Sequence, residues 1–214
     1  MASPSSCTRS RYSNSGGDSL TFRALGARLG VDATAVYRHF ADKDELILEL
    51  VDRLLKEAMA GFTPDDNWRK TNVDIYERVR AVHLKFPRLA VLVASRTGRR
   101  AQEFSAVEHI IGALRRAGLS PESAGRYYRV LTEYVLGYMI EEATFRSLDA
   151  ATQDGDRRAW LVEYRALPDD EFPNIASSID HIPIDDDPRI FGWGLDLLLD
   201  AVEQQIQAPP PVST

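Results

Sequence analysis

The segment from Leu20 to Lys43 constrains the fold more than any other part of the chain. Its apolar residues recur at roughly helical spacing: Leu20, Phe22, Leu25 and Leu29. Gly30 follows at the position where a helix commonly ends in a left-handed conformation, which glycine adopts at low cost. Asp32 can then cap a second helix running from about Ala33 to Phe40. The segment therefore predicts two short helices joined by a tight turn.

Two helices with this spacing allow the second helix to enter the major groove of DNA. In that helix Val36, Tyr37 and Phe40 are expected to face the body of the domain. Asp42 and Glu45 have the spacing of a capping box and predict the start of a third helix. Spacing alone leaves an alternative open, because two ordinary core helices joined at a glycine corner show the same pattern.

The residue string across the turn is more specific than its spacing. It contains Leu29, Gly30, Val31, Tyr37, His39, Phe40, Lys43 and Leu46. In this order the string resembles the N-terminal domain of tetracycline-repressor (TetR) family transcription regulators, without gaps from Leu20 to Leu50. The resemblance implies a DNA-binding regulator, a repressor rather than an activator, on a roughly palindromic operator in double-stranded DNA.

The resemblance also implies which residues lie at the DNA. Thr21 and Arg23 would hold phosphates, and Thr34, Ala35 and Arg38 would face base edges. The full set of expected DNA-binding residues is Thr21, Arg23, Ala33, Thr34, Ala35, Tyr37, Arg38, His39 and Lys43. Charge agrees, since residues 1–43 carry a net charge of +3 in a chain whose net charge is −6. A chance fluctuation over a short segment would give the same asymmetry.

Composition narrows the class of protein further. The 44% of hydrophobic residues can form a substantial core, yet no run approaches the roughly 18 consecutive apolar residues of a membrane span. The N-terminus lacks the hydrophobic stretch of a secretory signal. Cys7 is the only cysteine, which excludes an internal disulfide and favours the cytoplasm.

Hydrophobic periodicity predicts an all-α fold, because no convincing alternating strand pattern occurs. Predicted long helices cover about Asp44–Ala60, Asn67–Lys85, Ala101–Ala117, Pro121–Ser147 and Pro188–Gln207, with a short one from Phe86 to near Gly98. Residues 148–188 are predicted to be rich in loops, with short helices at Arg157–Leu167 and Glu171–Ser178. The predicted organisation is a disordered tail at 1–18, a helix-turn-helix domain at 19–45, a helical regulatory and dimerisation domain at 46–207 and a disordered tail at 208–214.

The last two long helices carry the resemblance beyond the DNA-binding segment. In the tetracycline repressor's branch of the family the corresponding helices pair with their mates as a four-helix bundle. The resemblance therefore implies a homodimer formed through the helices near 121–147 and 188–207, where Gly192 and Gly194 would permit close approach. The alternative is a monomer in which the same apolar helices are buried internally.

The resemblance further implies a pocket for a small apolar or aromatic effector. Candidate ligand-binding residues are Phe86, Leu92, Phe104, His109, Tyr127, Leu131, Tyr134 and Tyr138. The tyrosines recur at helical spacing, which is also typical of plain core. We expect no metal or cofactor: the stretch Val93–Ser95 lacks the histidine that holds the metal in the tetracycline-binding member, and Glu141 or Glu142 can simply pair with Arg146.

The segment before the motif departs from the family. It is rich in serine, contains Gly16-Gly17 and has no apolar stripe where the family has an amphipathic helix. A wrong start, natural degeneracy and a flexible arm bearing Arg9 and Arg11 are three competing explanations. They keep an alternative function open: a ligand-sensing dimerisation protein with a defective DNA-binding head that does not bind DNA alone or sequesters a paralogue. An enzyme is not supported, because no phosphate loop, nucleophile elbow or pair of catalytic carboxylates occurs.

Overall fold

A computed structural model describes residues 39–94, 96–183 and 187–207, and within these ranges the chain is helical and has no β-strand. The helices are α1 (Lys43–Ala58), α2 (Trp68–Leu84), α3 (Pro87–Val93), α4 (Ala101–Arg116), α5 (Pro121–Ser147), α6 (Ala150–Arg158), α7 (Pro173–Ser178) and α8 (Arg189–Gln207). The predicted all-α class is confirmed. None of the helices in these ranges combines the length and apolar character needed to cross a membrane.

The chain divides into two compact units, Met1–Leu46 and Ile47–Thr214. In the described part of the first unit, the Glu45 N–H donates to Asp42 Oδ1 over 2.8 Å. Glu45 Oε2 in turn accepts a hydrogen bond from the Ala41 N–H over 2.6 Å. This reciprocal pair is the capping-box arrangement that the sequence predicts, and it begins α1 at Lys43.

Helix α5 is the centre of the second unit and packs against α2, α3, α4 and α8. Its first turn is fixed by Ser120, whose Oγ accepts from the Ser123 N–H over 3.1 Å, and by Pro121 at the first helical position. One stripe of the helix is almost fully buried: Leu131, Val135, Met139 and Ala143. Both predicted ends of this helix are confirmed. Its predicted position at the centre, with neighbouring helices around it, is confirmed as well.

The region after α5 is more helical than predicted. Asp149 accepts from the Thr152 N–H over 3.0 Å and starts α6, which continues through a π-helical turn into a 3₁₀ turn ending at Ala166. The predicted loop at 148–156 and the predicted start at Arg157 are therefore wrong. Helix α6 has no buried residue, so its sequence carries no apolar periodicity that would reveal it.

Helix α8 lies against α5 at a close approach that Gly194 permits. Tyr134 on α5 donates from its hydroxyl to the Phe191 carbonyl oxygen over 2.9 Å. A Cβ atom built on Gly194 would lie 2.7 Å from Tyr134 Cζ, well inside van der Waals contact. Gly192, by contrast, has no heavy atom of the described chain within 4 Å of such a Cβ. The prediction that these glycines allow another helix to approach closely is therefore met at Gly194, where the approaching helix is α5 of the same chain.

Replacing Gly194 with alanine is expected to lower the free energy of unfolding by about 1–2 kcal/mol, because the Tyr134 ring must move and its hydrogen bond is lost. Urea unfolding followed by circular dichroism measures the change. Gly155→Ala is the matched control, since Gly155 lies in exposed α6 with nothing within 4 Å of an added Cβ. That variant is expected to be neutral or up to about 1 kcal/mol more stable. Equal effects in the two variants would contradict the assigned contact.

Candidate ligand-binding cavity

A cavity of about 100 Å³ lies among α1, α2, α4 and α5 within the second unit. Each helix contributes residues one turn apart, so that a single face of each forms a wall. The apolar wall residues include Val51 and Leu55 from α1, Ile75 and Val79 from α2, and Ala106 and Ile110 from α4. The polar wall residues are Tyr76, His83, Arg96, Glu103, Tyr128 and Thr132. The site is thus mostly apolar with a few polar groups, the usual character of a small-molecule pocket.

Hydroxyl groups from α2 and α5 meet in the cavity wall. The Tyr76 hydroxyl and Thr132 Oγ1 are 3.1 Å apart, a hydrogen bond in which either oxygen can donate. Burial raises the pKa of Tyr76 above its usual range. Burial, followed by the nearby Glu103 carboxylate, also raises the pKa of Tyr128. These phenolic groups therefore stay protonated and uncharged at neutral pH.

His83 is the buried imidazole of the site, with 5% of its surface exposed. Its Nδ1 lies 2.7 Å from the Val79 carbonyl oxygen. Because a carbonyl oxygen can only accept, Nδ1 carries the hydrogen of this bond. Burial lowers the pKa of His83, with the Val79 bond opposing it, so the ring is neutral at pH 7. Nε2 is consequently left as a hydrogen-bond acceptor.

Helix α1 is tied to the start of α4 beside the cavity. Asp52 Oδ1 accepts from the Gln102 N–H over 3.1 Å, and Glu49 lies 3.5 Å from the Arg100 guanidinium. Gly98 is buried, and a Cβ built on it would lie 2.9 Å from Val51 Cγ1. These contacts couple the position of α1 to the loop that leads into α4.

A second polar cluster ties α2, α5 and α8 together. Both terminal oxygens of Glu142 accept from Arg80, over 2.8 and 2.7 Å, and Arg146 also donates to Glu142 over 2.8 Å. The Arg80 guanidinium stacks 4.6 Å from the centroid of the Phe191 ring. The predicted pairing of Glu142 with Arg146 is confirmed. Within the described ranges no group of three His, Cys, Asp or Glu side chains could hold a metal ion.

None of the eight predicted ligand residues lines this cavity. Three of them face α8: Tyr127 donates to the Ala201 carbonyl oxygen, Tyr134 bonds Phe191, and the Tyr138 ring lies 5.4 Å from that of Phe191. Leu131 is fully buried core, Leu92 is half-buried on α3, and Phe104 is exposed. His109 packs edge-on to Phe62, and Phe86 borders a separate surface groove. The α5 residues that do line the cavity are Tyr128, Thr132, Val135 and Leu136.

The α5 residues predicted to bind ligand lie on a different face of the helix from the residues that line the cavity. The sequence does not distinguish these faces because the helix is apolar on most of them. Tyr127 and Tyr128 are neighbours in sequence, yet Tyr127 bonds α8 and Tyr128 lines the cavity. No periodicity in such a helix distinguishes the face toward α8 from the face toward α2 and α4. The signal that sequence reasoning missed is the polar pair Tyr76 and Thr132, which the fold alone brings together.

Most of the predicted DNA-binding residues lie outside the described ranges: Thr21, Arg23, Ala33, Thr34, Ala35, Tyr37 and Arg38. The two that are described, His39 and Lys43, are exposed, and Lys43 is the first residue of α1. The predicted tails at 1–18 and 208–214 also lie outside these ranges. Their assignment stays a prediction.

Comparison with known proteins gives matches along most of the chain. Residues 60–206 match the family described as tetracyclin repressor-like, C-terminal domain, and residues 12–50 match bacterial regulatory proteins of the tetR family. Tetracycline repressor protein class A of Escherichia coli is 26% identical over 192 residues, which are 89% of this chain and 84% of that protein. For three other curated relatives the match spans 54% to 66% of their own length and 59% to 74% of this chain.

Solved structures share the fold. ActR from Streptomyces coelicolor, in complex with (S)-DNPA, superposes with a TM-score of 0.71 at 22% identity, covering 90% of this chain and 91% of that one. BioQ with its double-stranded DNA operator superposes with a TM-score of 0.60 at 25% identity, covering 89% and 90%. The fold and the matched segments define a bacterial transcriptional regulator.

The chain belongs to the TetR family of bacterial regulatory proteins. The family predicted from Leu29 to Leu46 is confirmed. The prediction of a TetR-family transcriptional regulator with a DNA-binding domain and a repressor-like C-terminal domain is confirmed.

Proposed function

We propose that this chain is a homodimeric repressor that leaves its operator when a small molecule occupies the cavity under α1. The observation that carries the proposal is the position of Val51 and Leu55 in the cavity wall. They lie on the helix that begins at Lys43, the last residue of the predicted DNA-binding motif. A molecule that fills the cavity displaces this wall, and a rigid helix carries the displacement toward Lys43.

The contacts at the start of α4 give this displacement a defined path. Helix α1 is held to the segment between Gly98 and Gln102 by three of its residues, Glu49, Val51 and Asp52. Because Arg96 and Glu103 flank that segment and line the cavity, a bound molecule contacts both ends of it. Release requires the ligand to bind the DNA-free form more tightly, and allosteric couplings are typically about 1–3 kcal/mol, which corresponds to roughly 5- to 150-fold in affinity.

Relatives support both partners of this switch. The BioQ structure holds a double-stranded DNA operator, and the ActR structure holds a small molecule. For this chain we propose that the predicted residues from Thr21 to Lys43 contact DNA, with Arg38 at the bases and Thr21 at a phosphate.

Dimerisation is proposed from the outer faces of α5 and α8. Trp193 and Leu197 lie one turn apart on α8 and are 63% and 52% exposed, and Val130 on α5 is half-exposed. Adjacent large apolar side chains on a surface indicate a partner that covers them. A two-fold partner is favoured because one helix-turn-helix reads too few bases for useful specificity.

Replacing Leu197 with aspartate is expected to convert the dimer to a monomer, because a charge would be buried at the centre of the proposed interface. Sedimentation equilibrium at micromolar concentration measures the change. Val162→Asp is the control, since Val162 is 53% exposed outside α5 and α8. A Leu197→Asp variant that stays dimeric would contradict the proposed interface.

The function is tested by a gel shift on the DNA upstream of the chain's own coding sequence. The 214-residue chain is expected to retard this duplex at low salt, and Tyr37→Ala and Arg38→Ala are expected to abolish the shift. Absence of any shift with the unaltered chain would overturn the proposal. It would instead favour the sensing dimer with a defective DNA-binding head.

A further inference from the structure

We propose that the cavity among α1, α2, α4 and α5 binds a small, uncharged aromatic alcohol of the phenol class. The inference rests on the proposed function, because it names the class of ligand that would occupy the regulatory cavity. Three features of the described residues carry it: the size of the cavity, the charge of its walls and a buried acceptor on His83.

The size of the cavity favours a ligand of about one ring. Its volume is about 100 Å³. An apolar protein cavity of about 150 Å³ accommodates one benzene molecule, whereas sites for drug-sized ligands measure roughly 300–1,000 Å³. A single aromatic ring therefore fits with a small outward movement of the walls, and α1 is one of those walls.

The walls exclude a charged ligand. Val51, Ile75 and Ile110 are buried apolar residues at the cavity surface. Among the described lining residues, Arg96 and Glu103 are the ionised ones, and both are partly exposed and of opposite sign. Against the apolar part of the wall, away from Arg96 and Glu103, a carboxylate or ammonium would lose its hydration, which is costly. The ligand is therefore neutral.

His83 supplies the acceptor that a hydroxyl hydrogen would meet. It is nine-tenths or more buried, it lines the cavity, and its Nδ1–H is already used by the Val79 carbonyl oxygen. Within the described ranges, the bond to Val79 is the hydrogen bond that this ring makes. Its Nε2 therefore offers a lone pair to a bound molecule. A ligand without a donor covers this acceptor and leaves it unpaired, which costs binding affinity.

The hydroxyl pair of Tyr76 and Thr132 in the cavity wall favours an alcohol among possible donors. Tyr76 and Thr132 share one hydrogen bond, and Thr132 also bonds the Tyr128 hydroxyl, so two of the three hydroxyl hydrogens are used and one stays available to a ligand oxygen. An alcohol both donates and accepts, and it can therefore satisfy His83 and this pair. A phenol combines that group with one ring in an uncharged form.

Calorimetric titration of the full chain with phenol, toluene and benzoate tests the inference without DNA. Phenol is expected to bind about five- to tenfold more tightly than toluene, the net gain from its hydrogen bonds, and benzoate is expected not to bind. In His83→Leu the phenol affinity should fall toward that of toluene, while toluene binding stays unchanged and reports an intact cavity. Equal binding of phenol and toluene to the unaltered chain, or preference for benzoate, would overturn the inference, and this comparison requires no variant.

The outcomes separate the ligand class from the proposed function. If phenol fails to bind but the chain still retards its upstream DNA, the ligand class is wrong and the regulator stands. If phenol binds with the expected preference but leaves the DNA complex intact, the ligand class holds and release through the cavity is refuted.

Discussion

Replacing Glu142 with leucine is expected to lower the free energy of unfolding by about 3 kcal/mol, the low end of the cost of breaking a buried ion pair. The Arg80 and Glu142 side chains are only 18% and 10% exposed, so removal of the carboxylate leaves a poorly hydrated guanidinium between α2 and α5. Phe191 offers that cation a ring face but no compensating charge. The decrease in the free energy of unfolding is therefore larger than for removal of one partner of an exposed ion pair.

Urea unfolding at a fixed protein concentration measures this effect. Glu122→Leu is the matched control on the same helix, because its pair with Arg126 is 73% and 76% exposed. An exposed pair of this kind contributes about 0.3–0.5 kcal/mol. The double variant Arg80→Met with Glu142→Leu should recover part of the lost stability, since no unpaired charge is left between the helices. If Glu142→Leu lowers the free energy of unfolding by no more than Glu122→Leu does, the cluster does not stabilise the junction of α2, α5 and α8.

The ends of several helices could be predicted because short-range chemistry determines them. Asp42 and Glu45 form their capping contacts within four residues of each other, and Ser120 with Pro121 starts α5 in the same local way. Such signals do not depend on the rest of the fold, so the sequence alone reveals them.

Polar helices could not be predicted by the same reasoning. Helix α6 buries no side chain and carries Gly155 near its middle, so neither periodicity nor propensity marks it. Only the Asp149 cap signals its start, and a lone Asp is equally typical of a turn.

The face of α5 that lines the cavity is set by long-range packing. Tyr134 and Tyr138 pack against Phe191, which follows them in sequence by more than fifty residues. The cavity face carries Thr132, whose partner Tyr76 lies on α2. The aromatic residues predicted from helical spacing therefore lie on the helix that lines this cavity, but on its face toward α8.

A probe fixed inside the cavity is expected to release the chain from DNA, whatever the natural ligand. Ala106 is a buried wall residue, and a cysteine there would point a reactive thiol into the cavity. Cys7 is the only cysteine of the sequence, so Cys7→Ser gives a background without other thiols. Reaction of Ala106→Cys with a small alkyl methanethiosulfonate then adds bulk at the position where a ligand would press on Val51 and Leu55.

The decisive measurement is the affinity of this labelled protein for its upstream duplex, with mass spectrometry confirming complete labelling. The unlabelled Ala106→Cys protein is expected to bind, and labelling should weaken binding by at least about tenfold, within the usual range of allosteric coupling. Ala151→Cys, on exposed α6, should bind DNA equally well before and after the same reaction. A fully labelled and still helical Ala106→Cys protein that binds DNA with unchanged affinity would show that occupancy of this cavity does not control the regulator.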